Sequence, residues 1–230
     1  MKGEHRVTVK LLALVCILIA LGPISTLADG GDASNWVYGM YAYSAFQDSG
    51  TYGGVGVRGG ATDGYDPSGN DWRIVSGPKA YFGTYHASET DGWSGPPGFY
   101  SADTRSPLPQ SAGAAKTWVL YVWADPALPW TASSMTFSWA NYHPLPAGMS
   151  FTLTLLSKPA GITGGPGVGS KYDLASQYAG TVSLPLFRTA DGRSGYVFVF
   201  TATVIPEPPC LAALFTGLAG FGGVMRRRGG

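Results

Sequence analysis

Two uncharged apolar blocks, one near each end, decide how much of this 230-residue chain is left to fold in water. The first, Leu11 to Leu21, follows a stretch carrying Lys2, Arg6 and Lys10 and ends at Gly22-Pro23. Thr26 and Ala28 then place small residues at the −3 and −1 positions of a cut after Ala28. A basic start, an apolar run and a small-residue exit read as a cleavable signal peptide over 1–28. The run is too short to span a membrane, which takes ~20 apolar residues. The second block, Cys210 to Met225, is preceded by Pro206-Glu207-Pro208 and followed by Arg226-Arg227-Arg228. As a helix over about 210–225 it would be ~24 Å long. That is short of a ~30 Å hydrocarbon core, a mismatch that local thinning and snorkelling of the arginines can absorb. The arginines should stay cytoplasmic, which leaves everything before Pro206 on the outer side.

Pro206-Glu207-Pro208, a short apolar helix and a terminal arginine cluster, in that order, resemble the PEP-CTERM sorting signal of exopolysaccharide-producing bacteria. The resemblance covers about the last 25 residues, 206–230. It implies recognition by an exosortase, a membrane-embedded cysteine protease that cuts near the Pro-Glu-Pro. The implied route begins with signal peptidase and passes through an inner-membrane intermediate. It ends at the cell surface or outside the cell. An ordinary tail anchor needs no Pro-Glu-Pro, and Gly217, Gly220, Gly222 and Gly223 make this helix a poor permanent one.

Between the two signals, 29–205 is a length suited to one domain. It holds nine Lys and Arg against twelve Asp and Glu, a net charge of −3. Nucleic acid is excluded as a partner, since that needs clustered Lys and Arg. Both cysteines, Cys16 and Cys210, fall in the terminal signals, so the domain has neither a disulfide nor a thiolate metal site. Helix formers are scarce while Gly, Ser, Thr, Tyr, Trp and Val abound, a strand-and-turn composition.

Alternation then places the strands. Ser134 to Asn141 sets Met135, Phe137 and Trp139 on one face, and Ser150 to Leu155 does the same with Phe151, Leu153 and Leu155. Lys116 to Ala124 and Gly195 to Val204 are apolar on both faces over much of their length, as in central strands. Pro185 demotes Val182 to Phe187 to an edge. In the first half, Trp36 to Phe46, Thr51 to Arg58, Trp72 to Val75 and Ala80 to His86 read as strands. Turn signals at Asp48-Ser49-Gly50, Asp63-Gly64, Asp91-Gly92 and Asp191-Gly192 separate them. Many short strands so spaced predict an all-β, antiparallel β-sandwich. Ala61 to Trp72, Asp103-Thr104-Arg105, the strand ending at Trp139, Leu145-Pro146-Ala147-Gly148, Tyr172-Asp173-Leu174 and Tyr196-Val197-Phe198, taken in order, are also similar to β-sandwich segments of other exported bacterial proteins. That likeness implies a fold and a surface setting, and no chemistry.

Candidate sites are few. Asp63, Asp66, Asn70 and Asp71 bring hard oxygens together in one loop, the donor type calcium takes. Their spacing is not that of an EF-hand, and the favoured reading is a loop whose carboxylates cap its own amides, with no cofactor. Glu89 is the only Glu of the domain, so the paired acid and base of a glycosidase is not announced. His86 and His143 lack a G-x-S-x-G partner and read as strand-end residues. The expectation is therefore a protein that is not an enzyme, with a structural role at the cell surface or in the extracellular matrix. The alternative is a polysaccharide-binding module, with Trp93 and Tyr100, or Trp130 and Tyr142, as stacking platforms for an exopolysaccharide.

Overall fold

The computed structural model describes residues 34–44, 47–66, 71–74, 77, 79–87, 93–127, 133–141, 145–174 and 179–205. All of them belong to one compact unit, Gly31–Ile205. The cleavage residues Thr26 and Ala28 lie outside the described residues. So do the sorting motif Pro206, Glu207, Pro208 and Arg226–Arg228, and the helix expected over 210–225. No helix among the described residues is long and apolar enough to cross a membrane.

The described residues are nearly all β. Among the described residues, eleven strands form one mixed sheet: β1 (Trp36–Ser44), β2 (Gln47–Val57), β3 (Asp71–Arg73), β4 (Ala80–His86), β5 (Gly98–Arg105), β6 (Ala115–Ala124), β7 (Ser134–Asn141), β8 (Met149–Ser157), β9 (Lys171–Asp173), β10 (Ala179–Pro185) and β11 (Tyr196–Val204). The order across the sheet is β10-β7-β1-β2-β5-β4-β6-β11-β8-β9, with β3 paired to β5. β10 stands at one end, where a strand containing Pro185 belongs.

Distant strands in this order touch through their rings, so the sheet curls over on itself. Trp36 of β1 meets Phe151 of β8 edge-on at 4.8 Å between centroids. Tyr38 meets Phe200 of β11 at 5.5 Å, and Phe137 of β7 meets Phe198 at 5.2 Å. These rings sit at the inward positions that alternation dictates: Trp36, Tyr38 and Met40 on β1, Met135, Phe137 and Trp139 on β7, Phe151, Leu153 and Leu155 on β8. Tyr38 closes its only polar requirement inside by donating to the Leu174 carbonyl at 2.6 Å. A smaller aromatic cluster of Tyr81, Trp123 and Phe99 lies on the outward side of β4–β6, and Gly192 of the 3-10 turn Gly192–Ser194 packs against it.

The expectation of a purely antiparallel sheet needs correcting. β5 runs parallel to β2, pairing Gly54 with Ala102 through Val57 with Arg105, and β2 also touches β4 in parallel at Gly50 and Ala80. The long excursion between β2 and β5 makes this possible, since a parallel pair needs a crossover of a dozen or more residues.

Candidate functional site

The excursion between β2 and β5 gathers the ionisable side chains. Each carboxylate in it among the described residues accepts a hydrogen bond from a backbone amide. Asp66 accepts from the Thr62 N–H at 2.6 Å, and Asp71 accepts from Asp66 at 2.6 Å and from Thr104 of β5 at 3.1 Å. Asp63 accepts from the Ser106 amide at 3.1 Å and its hydroxyl at 2.6 Å, and pairs with Lys116 at the start of β6. Asp63, Asp66 and Asp71 thus pin the loop to itself and to β5 and β6. Among the described residues, no three His, Cys, Asp or Glu side chains converge to hold a metal ion. Asn70, the remaining residue of the proposed calcium set, lies outside the described residues.

Behind this loop lies a buried ionic group. Arg105 donates to Asp103 from Nε at 3.0 Å and from Nη2 at 2.9 Å, a fork that fits a carboxylate. His86 Nε2 stands 3.0 Å from the same Asp103 Oδ2. The imidazole is stacked on Trp93, 3.6 Å between centroids and 10° between planes, and Tyr100 closes its edge. The Arg105 guanidinium also covers the Trp118 ring at 5.1 Å. Burial alone would raise the Asp103 carboxyl. The hydrogen bonds and charges of His86 and Arg105 outweigh it and hold the group down at about 2. Asp71 goes the other way. Burial, helped by the neighbouring charges of Asp103 and Asp66, outweighs its two amide donors and pushes it up to about 6.

Trp93 and Tyr100 are therefore not a sugar platform. Each is 1 % exposed, and their faces are spent on His86, Tyr65 and each other. A tryptophan beside a buried histidine gains more from packing than from facing water. The other proposed pair, Trp130 and Tyr142, lies outside the described residues.

Surface aromatics occur elsewhere, on the far strands of the sheet. The outward face of β10-β7-β1-β2 carries Tyr41 and Tyr43 of β1 and, cross-strand from Tyr41, Tyr52 of β2. Tyr52 is 54 % exposed. Tyr41 and Tyr43 stack at 4.9 Å and 20°. They border a depression of about 620 Å³ that also takes in Gly39, Ser138, Ala140, Ala179 and Thr181. The signal was present in the sequence: Tyr41 and Tyr43 are two apart and alternate with Met40, Ala42 and Ser44, which are buried, so both face out.

Compared with models of known families, with curated proteins and with solved structures, the chain shows no match.

Proposed function

We propose that this chain is an exported protein of the cell surface or extracellular matrix. Its 1–28 leader is removed by signal peptidase and its 206–230 tail is cut by an exosortase. Its domain is a two-layered β-sandwich with a structural role. The layered reading is supported by the rings of β1 and β7 packing against those of β8 and β11.

The observation that carries the structural role is how the domain uses its reactive side chains. Asp63, Asp66, Asp71, Asp103, His86, Arg105 and Lys116 bind one another and nearby amides, fastening a long loop to β5 and β6. With both cysteines outside the domain, these fasteners and the aromatic core do the work that disulfides do in many exported proteins.

Sorting is tested by replacing Pro206, Glu207 and Pro208 with alanine in the producing host. Export should persist while a membrane-bound precursor accumulates, and a host lacking the exosortase should accumulate the same species. Normal release of the alanine variant would remove the sorting reading.

A further inference from the structure

We propose that the outward face of β10-β7-β1-β2 is a binding site for an uncharged polysaccharide chain lying across the strands. The register sets out this face in rows. One row runs Thr181, Ser138, Tyr41, Tyr52 from β10 to β2, and the next runs Ala179, Ala140, Gly39, Gly54. The second row has almost no side-chain height, while the first has two phenol rings, flanked by Tyr43. The result is a trough with a floor of small residues and a tyrosine wall. Four strands at ~4.8 Å spacing give it a length of ~14 Å, enough for a short run of sugar rings.

The lining selects the ligand. It holds no Asp, Glu, Lys, Arg or His, so nothing in it attracts or repels charge. Phenol rings offer flat apolar faces with a polar tip, which suits a sugar's C–H face and its ring of hydroxyls. Ser138 donates to the Tyr41 carbonyl at 3.2 Å, and its oxygen can still accept. Thr181 adds a second hydroxyl. A few polar groups set in an apolar concavity is the usual make-up of a ligand site. A second copy of the chain fits less well, because these outward positions hold no Leu, Ile, Met or Phe, and the core of a homodimer interface is apolar.

The wall is also held in place before any ligand arrives. A Cβ on Gly50 would lie 2.6 Å from Tyr41 Cε2, so the Tyr41 ring occupies the space that a side chain at position 50 would fill. Tyr43 stacks on Tyr41 in turn. Rings fixed in advance lose little freedom when a ligand docks. This site rests on the tyrosine face alone and is independent of how the tail is processed.

The test uses the full-length protein in detergent. Affinity electrophoresis and titration calorimetry are run against three neutral polymers, hydroxyethylcellulose, galactomannan and dextran, and against alginate as the charged comparison. At least one neutral polymer should bind. Tyr52→Ala and Tyr43→Ala should each weaken that binding tenfold or more, and Ala140→Trp, which fills the floor, should abolish it. Trp72→Ala, which removes an exposed aromatic on β3, should leave it unchanged. All four variants should keep the parent unfolding midpoint, since each site is a surface position. Failure of every neutral polymer, binding of alginate alone, or affinity untouched by the three trough variants would overturn the proposal. Sedimentation showing a dimer that Tyr52→Ala dissociates would also overturn it, by assigning the face to a second copy.

Discussion

Asp103 is held by Arg105 and His86 at once, and that makes it the residue on which the joint between the ends of β4 and β5 depends. Replacing it with asparagine leaves the guanidinium and the imidazole facing a neutral amide in a buried site. Breaking a buried pair from one side costs about 3–5 kcal/mol. Asp103→Asn should lose stability on that scale in urea titrations, and a loss below about 1 kcal/mol would show the pair to be dispensable. The two shifted carboxyls also fix a pH profile, against an unfolded aspartate near 3.9. Asp103, at about 2 when folded, stabilises above pH ~4, and that contribution is lost as the pH falls toward 2. Asp71, at about 6, keeps a proton in the folded state that the unfolded chain has released. Its contribution therefore declines as the pH rises from about 4 to 6. Asp71→Asn should flatten the decline between pH 4 and 6 and leave the acid limb in place; an unchanged profile would refute the assignment. Little of this group was legible beforehand. His86 was visible as a strand-end residue, but its partner lies 17 residues away on a strand the pattern did not show. The available hint was Asp103 and Arg105, two apart and of opposite charge.

At the scale of elements, legibility followed alternation. β7 and β8 bury every second residue along most of their length, and the sequence places both within two residues of their ends. Alternation did not mark β5, and its burial shows why: Tyr100 and Ser101 are both buried, as are Asp103 and Thr104. A strand paired on both sides and flanked by a loop has no clean polar face to reveal it. β9 is only three residues long, too short to carry a period. Gly53 of β2 marks the close approach of β5, whereas Gly50, Gly54 and Gly56 lie against β1. A Cβ on Gly53 would lie 1.9 Å from the Ser101 carbonyl oxygen, whereas one on Gly59 would meet nothing within 4 Å. Gly53→Ala should therefore cost at least the ~1–3 kcal/mol of an overpacked site. Gly59→Ala should cost far less, and equal costs in the two variants would mean that β2 and β5 do not pack this closely.

For the whole molecule, the domain between the two ends was legible in part. Composition alone announced an all-β domain, because so few helix formers and so many turn dipeptides leave no other economical fold. The parallel pairing of β2 with β5 was not announced, since a strand pattern records which face is buried and not which neighbour is joined. The placement of Cys16 and Cys210 yields a prediction for the assembled protein. Reductant should leave the unfolding midpoint of the released protein unchanged, and a large drop would mean that the released chain keeps Cys16 or Cys210 and that the domain boundaries are wrong. The central claim is that both termini are addresses removed on the way out. Intact-mass analysis of the protein recovered from the cell surface or medium tests it most directly. The account predicts a chain that begins at Asp29 and ends near Pro206-Glu207-Pro208, without Arg226–Arg228. A recovered chain that starts at Met1, or still carries Arg228, would contradict it.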